Sequence, residues 1–190
     1  MIYYVRHGQS ESNVHLHEGG EWIYEVHNDA PLTAEGRRQA EETGERLRDT
    51  KIDVVVTSGL SRARDTGAII NQFHGVPVVV MEELNERVDR RVGTMDSGGR
   101  DEEWHKSFEF GYEAYPGIER LEDFRDRVMR AIKRIEKEYE GKNVLVAAHG
   151  GVSYVFRRYC EGGKWEGNIR DTVRMKNAEV VEFDLKGLKG

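Results

Sequence analysis

Short apolar runs alternating with helical periods limit how this chain can fold more than any other feature. Ile2-Tyr3-Tyr4-Val5, Val54-Val55-Val56, Val76 to Val80 and Val144 to Ala148 are rich in β-branched and aromatic residues. Such runs, not alternating with polar residues, suit strands buried on both faces, as in a parallel sheet. Between them the period is helical. One helix is expected from an N-cap at Thr33, with Glu35 in the first turn where the dipole favours an acid, to about Asp49. A second spans about Leu60 to Phe73, burying Ala63, Ile70 and Phe73. After the break at Pro116-Gly117, the residues Leu121, Phe124, Val128, Ile132, Ile135 and Tyr139 keep the 3.6-residue period over several turns. An apolar stretch after His149-Gly150-Gly151 reads as a helix to about Tyr159. This alternation implies an α/β fold, a three-layer α/β/α sandwich around a mostly parallel sheet.

The remaining segments are less regular. Residues 9–31 read as a loop with a short helix after Ser10, and 82–99 as a charged, glycine-punctuated loop. Trp104, Phe108 and Tyr112, four residues apart, suggest a short helix. Residues 170–175 and 178–184 are expected to be two closing strands. No repeat, low-complexity tract or linker divides the chain, so residues 1–190 are read as a single domain.

The 190 residues include 29 Lys+Arg and 35 Asp+Glu, a net charge of −6, with 37% hydrophobic and 34% charged residues. That balance argues against a nucleic-acid surface, which needs a basic face. No apolar stretch approaches the ~20 residues of a membrane span, and Met1 to Val5 are too few for the apolar core of a secretory signal. The lone Cys160 forms no internal disulfide. The expectation is a cytoplasmic protein with no membrane or nucleic-acid partner, its oligomeric state open.

In open α/β sheets ligands sit beyond the carboxyl ends of the strands. Here those ends carry Arg6-His7, then Ser58 and Arg62, then His149, while Leu84-Asn85-Glu86-Arg87 follows the strand at 76–80. Histidines, arginines and a carboxylate thus lie where one pocket can collect them. Gly150-Gly151 lets a helix N-terminus begin close to a bound anion.

Together these segments closely resemble the histidine phosphatase superfamily, also called the phosphoglycerate mutase-like family. Arg6-His7-Gly8-Gln9-Ser10-Glu11-Ser12-Asn13 is similar to the family's opening R-H-G-[EQ]-[ST]-x-x-N segment. Asp29-Ala30-Pro31-Leu32-Thr33-Ala34-Glu35-Gly36 follows, with Gln39-Ala40 at the family spacing. Ser58-Gly59-Leu60-Ser61-Arg62-Ala63-Arg64-Asp65-Thr66 resembles S-x-L-x-R-A-x-x-T, Leu84-Asn85-Glu86 the acid loop, and Ala148-His149-Gly150-Gly151 the second histidine. The matches occur in the family's order along nearly the whole chain.

The resemblance implies that His7 is the nucleophile that forms a phosphohistidine, and that Glu86 rather than Glu82 or Glu83 is the general acid and base. It implies that Arg6 and Arg62 clamp the phosphate, as suits guanidinium forks, and that His149 completes the cradle, with Asn13 and Gly150 adding donors. No metal and no other cofactor is implied, because these side chains supply the positive charge.

The chain departs from the family pattern in places. Gly59 stands where many members carry proline, and Gly93-Thr94-Met95-Asp96-Ser97-Gly98 replaces the more usual G-x-W-E-G. Arg120 is read as a solvated helix-start residue, with contact to a second anionic group as the alternative. His15, His17 and His27 lack the partners of a metal site. Trp22, Tyr24 and Trp104 are read as packing or pocket-rim groups, and Cys160 as a small buried hydrophobe.

The expected partner is a small phosphorylated metabolite, and the expected reaction its hydrolysis. One alternative is a 2,3-bisphosphoglycerate-dependent phosphoglycerate mutase. The short stretch between Glu86 and His149, and His149-Gly150-Gly151-Val152 in place of the mutases' H-G-N-S, favour the phosphatase. The other alternative is a non-catalytic phosphate-binding module.

Overall fold

A computed structural model describes residues 1–18, 22–23, 28–87, 94–95, 106–112 and 117–184. Its central sheet holds β1 (Ile2–Arg6), β3 (Val54–Thr57), β4 (Val78–Val80), β6 (Val144–Ala148) and β7 (Val180–Phe183), in the order β4-β3-β6-β1-β7. The first four in that order run parallel, and β7 pairs antiparallel with β1. A separate antiparallel pair joins β2 (Trp22–Ile23) to β5 (Thr94–Met95), linking the two irregular segments.

Side-chain alternation divides the central strands between two cores. Ile2, Tyr4, Val54, Val56, Val144 and Val146 face α4 (Leu121–Glu138) and α5 (Gly150–Cys160). Val5, Val55, Leu145 and Ala147 face the other way, toward Ile70 of α3 (Ser61–Asn71), with Leu47 of α2 (Ala34–Leu47) packed alongside. The expected three-layer sandwich is therefore present. Leu121, Phe124, Val128, Ile132 and Ile135 of α4 are all buried. Each contributes about 1.5–3 kcal/mol by leaving water, which explains why a helix with so many charged residues holds its place.

Thr33 caps α2 by accepting from the Gly36 N–H at 3.0 Å. The short helix after Ser10 is α1 (Glu11–Glu18). Asp29 Oδ1 accepts from the Ser61 N–H at 2.6 Å and so caps the start of α3.

Some expectations need correcting. The strand at 76–80 is shorter and lies at the sheet edge, so Val78 and Val80 are each 48% exposed and only Val79 packs inward. Within 82–99, residues Glu82–Leu84 form a 3-10 turn. Residues 106–112 turn rather than continue a helix: Gly111 is left-handed at φ 82°, and Phe108 and Phe110 bond to Ile169 and Gly167 across the chain. Trp104 lies outside the described residues, as do the side chains of His15, His17, Trp22, Tyr24 and His27. Of the two expected closing strands only the second forms, as β7; residues 170–172 turn and bend, and the Met175 carbonyl is taken by Arg6 Nη1. Cys160 is only partly buried. Arg120 is exposed and 3.9 Å from Glu122, in keeping with a solvated helix start. Among the described residues no helix is long and apolar enough to cross a membrane.

Candidate active site

The parallel ladder continues past the strand ends and fixes the groups that follow. His7 N donates to Ala148 O at 2.9 Å, Ser58 N to Ala147 O at 3.1 Å, and Met81 N to Thr57 O at 2.8 Å. His7 and His149 thereby face each other at the ends of neighbouring strands, with ring centroids 5.2 Å apart.

The turn after β1 is held from behind by α2 and α3. Gly8 N donates to Thr66 Oγ1 at 3.0 Å, Thr33 N to Gln9 O at 3.0 Å, and Gln9 N to Gln39 Oε1 at 2.9 Å. A Cβ on Gly8 would lie 2.3 Å from Gly36 O, and one on Gly36 only 1.9 Å from Gln9 O. The two backbones meet so closely that only glycine fits at either point. This contact gives the Thr33-to-Ala40 segment its place beside Arg6-His7-Gly8.

His7 Nδ1 lies 2.7 Å from Gly8 O. A carbonyl can only accept, so Nδ1 carries the proton and a neutral ring keeps its lone pair on Nε2. Burial, then Arg62, then Arg6 hold the His7 pKa well below the ordinary histidine value. Burial, then Arg62, His7, Arg6 and Arg127, lower that of His149 well below the ordinary value too. Its Nε2 lies 2.7 Å from Ser58 Oγ, while Nδ1 is buried with no partner among the described residues.

Arg6 and Arg62 are both buried. Arg6 Nη1 donates to Met175 O at 2.7 Å and its Nε has no partner among the described residues; Arg62 Nη1 donates to Asn28 O at 2.9 Å. Burial lowers the pKa of both, but a guanidinium keeps its charge at neutral pH. Each thus retains donors for an anion.

Glu86 reaches the site from the loop after β4. Its Oε2 accepts from Gly151 N at 3.0 Å, in the first turn of α5, and its Oε1 from Arg87 N at 3.0 Å. A Cβ on Gly151 would lie 2.3 Å from that carboxylate, whereas one on Gly150 would meet nothing nearer than Arg6 Nε at 3.6 Å. Of the two glycines, Gly151 is the one that Glu86 requires. Glu82 is exposed and bonded to Asn85, whose Oδ1 accepts from Gly59 N at 2.7 Å. That bond uses an N–H which proline would lack.

The structure brings Arg6, His7, Arg62 and His149 together, with Glu86 at their edge. Asn13 is adjacent, and its Oδ1 accepts from Ser10 and from Asn177 Nδ2. Three contributors escaped the sequence reading. Asn177 Nδ2 donates to His7 O at 3.0 Å, Ala178 N donates to Arg6 O at 2.9 Å, and Met175 O receives Arg6. None carries a local sequence signal, since each acts through backbone or amide groups far along the chain. Among the described residues no three His, Cys, Asp or Glu side chains are grouped to hold a metal ion.

Residues 2–189 match the family model of the histidine phosphatase superfamily (branch 1). The chain belongs to this superfamily. Within it, the Bacillus subtilis (strain 168) protein named "Uncharacterized phosphatase PhoE" is 35% identical, over 95% of this chain and 86% of its own length. A Salmonella choleraesuis protein named "Probable phosphoglycerate mutase GpmB" is 31% identical, over 79% of this chain and 69% of its own. The solved structure of Bacillus stearothermophilus YhfR superimposes with a TM-score of 0.78 at 25% identity, covering 94% of this chain and 88% of that one. The fold likeness thus rests on sequence and structure alike, and the phosphatase likeness on the family model and the Bacillus subtilis relative.

Proposed function

We propose that this chain is a metal-independent phosphatase that hydrolyses a small phosphorylated metabolite through a phosphohistidine on His7. The observation that carries the reading is the Nδ1 contact to Gly8 O in a ring kept neutral between two buried arginines. Only a neutral imidazole can attack, and this one offers Nε2.

The Nε2 lone pair forms the N–P bond as the P–O bond to the leaving group breaks. Glu86 gives its proton to that departing oxygen. Water then attacks phosphorus, its proton passes to the Glu86 carboxylate, and the N–P pair returns to Nε2. Arg6 and Arg62 hold the equatorial oxygens, and His149 Nδ1 donates to the charge that spreads over them. Asn13 and the Gly150 end of α5 add donors at the phosphate's edge.

The net charge of −6 fits a small substrate drawn by a local positive focus, with no nucleic acid or membrane involved. A cytoplasmic, reducing setting goes with the lone Cys160, whose thiol is pushed up to about 12, chiefly by burial.

Phosphate release from an aryl phosphate tests the reading, with His7→Ala beside the wild type and an acid-labile phosphoprotein trapped at quench. Turnover that survives His7→Ala would overturn it. The mutase alternative has the likeness to the GpmB protein in its favour. Efficient conversion of 3-phosphoglycerate to 2-phosphoglycerate, dependent on 2,3-bisphosphoglycerate, would establish it instead.

A further inference from the structure

Arg127 lies on α4, and its guanidinium donates no hydrogen bond to the side chains of the phosphate site. All five of its N–H donors end on protein. Nη1 donates to Glu83 O at 2.9 Å and Asn85 O at 2.6 Å, and Nη2 donates to Glu86 O at 2.9 Å. The remaining two donors form a fork onto Glu119, from Nε to Oε1 at 2.7 Å and from Nη2 to Oε2 at 2.8 Å. Its side chain is 13% exposed and that of Glu119 15%, and the guanidinium lies 4.8 Å from the Phe124 ring centroid.

Three carbonyl contacts on one loop, at Glu83, Asn85 and Glu86, are a backbone clamp. Residues 83–86 have no strand partner to fix them, and only a 3-10 turn precedes Glu86. Without the clamp, the loop that carries the acid would be held by buried Leu84, by the Asn85 contact to Gly59, by the Arg87 Nε bond to Glu119 O at 2.7 Å and by Glu86's own bond to Gly151. Glu119 neutralises the buried charge and holds the guanidinium plane in register with the carbonyls.

We propose that Arg127, fixed by Glu119, is the positioning residue that holds the Glu86 carboxylate where it can protonate the leaving oxygen. This rests on the reading of Glu86 as general acid. Arg127 touches neither substrate nor reacting atoms. Lysine has three donors and no fork, so it can hold part of the loop but not the whole arrangement.

The test compares substrates that differ in their need for a proton. p-Nitrophenyl phosphate expels a stable phenolate, whereas phenyl phosphate needs the acid. Arg127→Met is expected to lower kcat/KM, which reports the steps up to formation of the phosphohistidine and not its hydrolysis, by about 100-fold on phenyl phosphate and by less than about 5-fold on p-nitrophenyl phosphate. Arg127→Lys and Glu119→Gln should show the same selectivity with smaller losses, so the comparison stands even where Arg127→Met fails to fold. Circular dichroism identifies the folded variants. Equal losses on both substrates in folded variants would mean a merely structural role and overturn the proposal. Glu86→Gln is the reference. If it also lacks the leaving-group effect, the assignment of Glu86 fails and the proposal with it; if it shows the effect and the Arg127 and Glu119 variants do not, the positioning role alone fails.

Discussion

Ser58 Oγ and His149 Nε2 lie 2.7 Å apart at the ends of neighbouring strands, both fully buried. With the hydroxyl donating to Nε2, the ring proton is placed on Nδ1, the atom left without a partner among the described residues. Ser58→Ala is expected to cost about 1 kcal/mol of stability from the lost bond. It should also lower kcat about 10-fold with little change in KM, because the donor tautomer is no longer selected. Urea unfolding and steady-state kinetics on one preparation check both. An unchanged kcat would separate Ser58 from the ring's chemistry.

The two buried histidines predict how stability depends on pH. Both have pKa values lowered well below that of a free histidine, so below about pH 6.5 the unfolded chain takes up protons that the folded one refuses. Stability is therefore full above that pH and falls as pH drops toward the folded values, by up to about 1.4 kcal/mol per pH unit for each ring. Ring C–H chemical shifts of His7 and His149 should stay flat between pH 8 and about 6. A midpoint near 6.5 for either ring would refute the assignment of its charge state.

Gly151→Ala should uncouple activity from stability. Alanine is the better helix former by about 1 kcal/mol, yet its methyl would occupy the place of the Glu86 carboxylate, 2.3 Å away. The carboxylate is the end of a flexible side chain and moves readily. The expected result is an unchanged or higher melting temperature with kcat on phenyl phosphate down at least about 10-fold. Retained activity would show that Glu86 acts from another position.

Gly36→Ala should do the reverse. Its methyl meets the backbone of Gln9 rather than a side chain, at 1.9 Å from the carbonyl oxygen. The turn carrying His7 must shift, at a cost of about 1–3 kcal/mol or more. Denaturant unfolding should show that loss, and a midpoint equal to wild type would disprove the contact.

What could be read from the sequence was what is local. Arg6-His7, Arg62 and His149 each follow a buried strand or open a helix, so their side chains are placed by elements with a clear period, and the register of β1, β3 and β6 does the rest. The helix Leu121–Glu138 was legible for the same reason. Arg127 was not: it sits beside buried Val128 on a highly charged helix, and nothing in that pattern distinguishes a clamp from a solvated arginine. The exposure of Val78 and Val80 follows from strand order, which composition does not encode. Residues 106–112 carried a helical aromatic spacing, and their cross-chain bonds to 167 and 169 overrode it. Residues 170–175 look extended in sequence, but 170–172 turn and bend, and the Met175 carbonyl accepts from Arg6 instead of a neighbouring strand.

Asn177 donates to the carbonyl of His7 across a sequence separation of 170 residues, and the neighbouring Ala178, left-handed at φ 53°, donates to Arg6 O. β7 begins two residues later and pairs with β1, so the turn that leads into it braces Arg6 and His7 through their backbone carbonyls. The segment that closes this edge of the sheet therefore also fixes where the His7 ring stands. A lesion at this edge would reach the site without touching any side chain in it.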